Sequence, residues 1–195
     1  MKQSVKNSTP QTASKKTLPC QPVTTPPQTE AGLLELFTDG IKDMYWAENH
    51  LVKSLPKMIS AAGEATVKNG LSTHLKQTAE HAARLENVLE IIGEKIEAKK
   101  CDACEGLVMS GEHVIEATDT GSEARDTGII LSALKVENFE ITAYTGLIQL
   151  ALKLGLEDAV NFLNQNLADE VETEAQLNAL STGNAAPSKK ATPRN

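Results

Sequence analysis

Between Leu134 and Gly146 the chain reads LKVENFEITAYTG. At about 100° per residue, the apolar side of a helix through it runs Ile130, Ala133, Ile141, Tyr144, Ile148 and Ala151. Glu137 and Glu140 fall in the middle of that side. Lys135, Asn138, Thr142, Gln149 and Lys153 occupy the other, so polar residues are well sorted and the two glutamates point where a core belongs. Any fold that buries this helix has to satisfy two carboxylates from inside.

Three further stretches carry helical periodicity. The first spans about Thr29 to Ala62, with Thr29 as N-cap, Gly63 as stop, and Pro56 as a point of kinking. Leu33, Phe37, Ile41, Met44, Leu51, Leu55 and Ile59 line its inner side, and Glu48 stands at the centre of them. Asn69-Gly70 signals a turn, so the second stretch spans about Leu71 to Ile92, with His74 and His81 flanking its apolar stripe and Glu80 turned outward. The opening stretch itself runs from about Gly128 to Leu154. Gly155 turns the chain into a last helix from about Glu157 to Leu180, whose inner side is Leu163, Leu167, Glu170, Glu174 and Leu177, with Asp169 and Glu172 facing out.

About 35 residues join the second helix to the third, including a short crossing helix near Ala103 to Ala117, whereas the other two connections are short. One crossover as long as the molecule, between two helical hairpins, is the ferritin-like arrangement, so the expected fold is an all-α, ferritin-like four-helix bundle with a short extra helix in its crossover. A faint repeat agrees: Gly63 follows Glu48 at the spacing by which Gly155 follows Glu140, and in that register Thr78 matches Glu170 and Ala82 matches Glu174.

The bundle is expected over residues 29–182, between two disordered basic tails. Residues 1–28 are rich in Lys, Ser, Thr, Gln and Pro with few large apolar side chains, and 183–195 read alike. The first 29 residues hold four lysines and no acid, and 188–195 hold Lys189, Lys190 and Arg194. Removing these seven charges from the net −7 leaves −14 on residues 30–187. That acidic body disfavours nucleic acid, which only the tails would bind, weakly, through phosphates. There is no apolar run of membrane-spanning length and no secretory h-region at the start, so a cytoplasmic protein with no membrane partner is expected. Cys20, Cys101 and Cys104 form no disulfide framework; Cys101 and Cys104 read as a loop pair. His50 and His113 read as solvent-facing, and Trp46, on the outer side of the first helix, hints at a dimer contact.

Glu48, Glu137, Glu140, Glu170 and Glu174 are thus carboxylates on three inner faces, and Lys42, Lys53, Lys135 and Lys153 all lie outside. Unpaired buried carboxylates take up protons or find a cation. Shared protons, a histidine from the second helix, or a metal remain. Oxygen donors from several bundle helices with one or two imidazoles suit a di-iron or di-manganese centre, and His74 and His81 are the imidazoles available. Tyr45 and Tyr144 stand near the cluster, with core packing as their expected role.

At these residues the chain resembles the YciE/YciF family of ferritin-like bacterial proteins. The resemblance covers about Leu33 to Leu180 and rests on LFTDGIKDMYWAENHLVKSLPKM at 36–58, HLKQTAEHAARLENV at 74–88, CDACEGL at 101–107, and VENFEITAYTGL with ALKLG at 136–155. It implies homodimers, a link to stress responses, and an acidic core set at Glu48, Glu137, Glu140 and Glu170. This chain departs from the family at Gln77, where glutamate is usual, at Asn138, where histidine is, and at Cys104, where methionine is. The leading expectation is a stress-response protein with a carboxylate-bridged iron or manganese site that handles iron or reactive oxygen, as a non-heme oxidase or peroxidase if it is an enzyme. The alternatives are a metal-free dimerising scaffold with a buried glutamate network, and a mini-ferritin-like DNA-protecting protein.

Overall fold

The computed structural model describes residues 27–182, with side chains from Glu30 onward. Their five helices are α1 (Pro27–Ala61), α2 (Ala65–Ile91), α3 (Asp102–Ala117), α4 (Glu123–Leu154) and α5 (Glu157–Ser181). Of the expected tails, Pro27 and Gln28 belong to α1, and the rest, with Cys20, lies outside the described residues. In the four long helices the buried positions alternate in steps of three and four. α1 buries Phe37, Ile41, Met44, Glu48, Leu51 and Leu55; α2 buries Leu71, His74, Thr78, His81, Leu85 and Val88. α4 buries Ala133, Glu137, Glu140, Tyr144, Leu147 and Ala151, and α5 buries Ala159, Leu163, Asn166, Glu170, Thr173 and Leu177. A repeat of about 3.5 residues keeps each stripe facing its neighbours along slightly coiled helices, as in a four-helix bundle.

Two apolar cores fill the ends of the bundle. One holds Leu51, Leu55, Val67, Leu71, Val108 and Ile129 with α3 against it. The other holds Phe37, Ile41, Leu85, Leu89, Leu147 and Leu163. α1 and α5 run from the second core toward the first, and α2 and α4 run the other way. The segment from α2 to α4 therefore returns along the length of the bundle, which is the expected crossover. Between the cores every long helix places polar residues on its buried stripe, so a polar layer is sandwiched in apolar packing.

Three boundaries differ from the sequence reading. α1 starts at Pro27, placing Thr29 inside its first turn; a proline at the first helical position loses no hydrogen bond. α2 starts at Ala65, with Asn69 and Gly70 inside it. Asp126 of α4, itself buried, accepts from the backbone N–H of Gly63 at 2.6 Å and of Glu64 at 2.8 Å. This cap from across the fold overrides the local turn signal. α4 starts at Glu123, where the Ser122 hydroxyl accepts from the Arg125 N–H. Gly155 ends α4 in the left-handed region at φ 70°. Among the described residues no helix is long and apolar enough to cross a membrane.

Candidate metal centre

The polar layer is built from the buried stripe of each long helix. α1 supplies Glu48, α2 supplies His74 and His81, α4 supplies Glu137 and Glu140, and α5 supplies Glu170. All six are 0–2% exposed. The two histidines, expected beside the α2 stripe, are on it, because the step of seven from His74 to His81 keeps both on one line of a 3.5-residue repeat.

These side chains converge as two groups that share Glu170. His74, Glu137, Glu140 and Glu170 each offer a ligand-type atom within 4.8 Å of the others, and Glu48, His81 and Glu170 do the same. His74 Nε2 lies 3.2 Å from Glu137 Oε1. His81 Nδ1 lies 2.8 Å from Glu170 Oε1 and 3.5 Å from Glu48 Oε1. These approaches are close without being aligned as hydrogen bonds. Both oxygens of Glu137, Glu140 and Glu170, with Glu48 Oε2 and the Nδ1 atoms of His74 and His81, are buried without a hydrogen-bond partner. Buried polar atoms are almost always satisfied. Here a set of them converges on common points.

One rim of the site is, by contrast, fully bonded. The Tyr144 hydroxyl donates to Glu48 Oε1 and accepts from Asn166 Nδ2 at 3.0 Å. The Asn166 amide also lies 3.3 Å from the His81 carbonyl, and its oxygen accepts from Arg84 at 3.0 Å. Arg84 donates to Asp169 Oδ2 at 2.8 Å, and that oxygen lies 3.2 Å from His81 Nε2. The chain of contacts closes on itself through His81 and Glu48. Arg84 and Asp169, the latter read from sequence as facing out, hold its edge, and Asn166 replaces Leu167 on the buried stripe. A protein cation therefore stands one residue from the cluster, where the sequence offered none.

Glu174, expected inward, is half-buried and accepts from Asn178 at 2.8 Å; it belongs to neither converging group, and Thr173 takes the buried position beside it. Gln77 is half-buried with its oxygen 3.4 Å from the Thr173 hydroxyl, and Asn138 is exposed, bonded to the Leu134 carbonyl. Neither enters the layer. Trp46 is half-buried and stacks on His50, also half-buried, at 4.5 Å between ring centres, so neither ring simply faces solvent. Cys101 and Cys104 form no loop pair: they are buried free thiols at the start of α3, and burial pushes Cys104 up to about 12.

Burial raises Glu137 and Glu140 well above the ordinary carboxylate value, with the charge of Glu170 adding to it. Burial raises Glu48 too, opposed by His81. For His81 burial favours the neutral ring, yet Glu170 and Glu48 outweigh it and lift the imidazole to about 10. Burial lowers His74, which stays neutral. The layer thus holds one imidazolium, one neutral imidazole and three glutamates, Glu48, Glu137 and Glu140, that burial drives toward taking up protons. Oxygen donors with imidazole nitrogens in a buried layer suit iron or manganese, and the converging unpartnered atoms fit a cation there.

Fold and layer together define a ferritin-like helical bundle with a histidine-bearing acidic interior. The chain belongs to the DUF892 family, described as a domain of unknown function, whose model matches residues 32–188. It is 34% identical over 151 residues to Protein YciF of Escherichia coli strain K12, covering 77% of this chain and 90% of YciF. The crystal structure of that protein, described as a stress protein, superposes with a TM-score of 0.74 over 78% of this chain and 96% of YciF, at 33% identity. YcfI from Rhodopseudomonas palustris gives a TM-score of 0.72 at 35% identity, covering 75% of this chain and 92% of its own. Symerythrin from Cyanophora paradoxa, at 16% identity, gives 0.51 over 79% of this chain and 82% of its own, a likeness of fold.

Proposed function

We propose that this chain is a carboxylate-bridged di-metal protein that binds iron or manganese inside the bundle and handles iron or reactive oxygen under stress. The observation that carries the reading is the pair of converging groups joined by Glu170, with buried donor atoms that make no hydrogen bond within the protein. Glu137, Glu140, Glu170 and His74 would hold one ion, and Glu48, Glu170 and His81 the other. Such ions, when bound, supply Lewis acidity and one-electron chemistry with oxygen species. The protein's part is to hold six donors in a dry layer between two apolar cores. Tyr144 fixes Glu48, and Asp169 fixes His81 by its Nε2, leaving Nδ1 toward the carboxylates. A cation at that face takes the place of the His81 proton.

The repeat explains the composition of the set. The spacing that relates Glu48 to Glu140 also relates Thr78 to Glu170 and His81 to Thr173. Each half therefore has a threonine where the other has its ligand, the imidazole of the first and the carboxylate of the second lying three positions apart in that register, and His74 and Glu137 extend the layer by one turn.

Anaerobic calorimetric titration tests the reading: ferrous iron binds at about two ions per chain, and Glu170→Ala, which removes the ligand both groups share, abolishes the binding. No binding heat in the wild-type protein would refute it. The second reading, a metal-free dimerising scaffold, draws on the imidazolium of His81 between Glu48, Glu170 and Asp169, which neutralises part of the layer without metal. It leaves both oxygens of Glu137 and of Glu140 buried without a hydrogen-bond partner, which places it second. It requires a melting temperature that chelation leaves unchanged.

A further inference from the structure

Beside the His74 end of the polar layer lies a small cavity of about 20 Å³. Its walls are Leu51, Leu55, Met58, Val108, Ala133 and Val136, all buried. His74 and Glu137 also line it, as does Ser54, the one lining residue that is only half-buried. About 10–15 Å³ of such volume holds a water-sized molecule, so the cavity accepts one diatomic and little more.

We propose that this cavity is a dioxygen-holding site that delivers the molecule to the His74–Glu137 side of the centre; the inference rests on the metal reading above. The argument is one of partners. A buried water needs two to four hydrogen bonds. The Ser54 hydroxyl is already donated to the His50 carbonyl at 2.8 Å. The other polar groups at the wall, His74 and Glu137, belong to the ligand set. Once those two are engaged by an ion, the remaining walls are apolar apart from the Ser54 oxygen, a single acceptor and fewer partners than a buried water needs, and such a cavity favours small apolar guests. Dioxygen is such a guest, whereas hydrogen peroxide brings two hydroxyl groups, of which the Ser54 oxygen can satisfy only one. The structure accordingly assigns dioxygen rather than peroxide to this approach.

Xenon, a polarisable apolar atom, is the direct probe. Crystals of the metal-bound protein under xenon pressure should show density among Leu51, Val108 and Ala133. Ala133→Leu, which fills the cavity, should remove that density, keep the metal content, and raise the KM for dissolved dioxygen in ferrous oxidation by about tenfold, the scale of a misfitted methylene in an apolar pocket. Val108→Ile adds a methylene from the opposite wall and should act in the same direction if the leucine variant fails to fold. Ordered water in place of xenon in metal-bound protein would overturn the cavity assignment alone, as would an unchanged KM in a variant that no longer binds xenon. Wild-type protein that binds no iron or manganese would overturn the metal reading and this inference with it.

Discussion

His81 Nε2 lies 3.2 Å from Asp169 Oδ2, and that same oxygen accepts from Arg84 at 2.8 Å. The contact fixes which imidazole nitrogen faces the carboxylates: Nδ1, 2.8 Å from Glu170 Oε1. A carboxylate behind a ligating histidine orients the ring, and its loss typically weakens metal binding 10–100-fold. Asp169→Ala should therefore lower the affinity for manganese by about 10–100-fold with little change in the far-ultraviolet circular dichroism spectrum. Wild-type affinity in Asp169→Ala would show that His81 needs no such support.

Glu140 is fully buried with both oxygens unpartnered. In chelated protein it is a burden, and Glu140→Met, similar in volume and apolar, should stabilise the fold by about 1–3 kcal/mol. Urea melts in the presence of chelator measure this. The same variant should lose whatever stabilisation added metal gives the wild type, so the sign of the difference should reverse between chelated and metal-saturated samples.

The pH dependence follows from the directions of the shifts. Glu137 and Glu140 sit well above 4.5 and His81 rises from 6.5 to about 10. A group whose pKa rises on folding contributes its full stability below its unfolded value and loses it as the pH climbs through the folded value. The glutamates thus stabilise chelated protein most near or below pH 4.5, and His81 stops contributing only above about 10. His74, lowered by burial, opposes this only as the pH falls below about 6.5. Chelated protein should melt higher at about pH 5.5 than at about pH 8. Metal-saturated protein should show the reverse order, because protons compete with the ion for the same atoms. Calorimetry at the two pH values checks both, and a chelated melting temperature that rises with pH would contradict the placement of these groups.

Tyr144 is fully buried, donates to Glu48 and accepts from Asn166. Tyr144→Phe leaves a carboxylate oxygen and an amide without that partner and should cost roughly 1.5–3 kcal/mol in thermal or urea unfolding. Asp126→Ala, which uncaps α2 at Gly63 and Glu64, should cost about 1–2 kcal/mol without altering metal stoichiometry. The pair separates damage to the layer from damage to the scaffold.

Much of the site was legible in the sequence because apolar residues three and four positions away pin a glutamate to one face. Met44 and Leu51 do this for Glu48, and Ala133 and Tyr144 do it for Glu137 and Glu140. On α5 the large leucines mislead: a stripe drawn through Leu163, Leu167 and Leu177 turns Glu174 inward. The strict alternation from Leu163 through Glu170 to Leu177 selects Asn166 and Thr173, which carry no hydropathy signal of their own. Asp169 and Arg84 lie off the stripes and meet each other across the α2–α5 seam, so no periodicity marks them. The start of α2 was hidden for a related reason. Its cap, Asp126, comes from α4, and a local reading of Asn69-Gly70 has no access to it.

Metal content tests the central claim most directly. Protein purified without chelator, quantified by inductively coupled plasma mass spectrometry beside Glu170→Ala prepared in parallel, should carry iron or manganese at about two ions per chain, and the variant, which lacks the ligand both groups share, should carry almost none. Wild-type protein free of both metals, and still free after incubation with ferrous iron or manganese, would contradict the account.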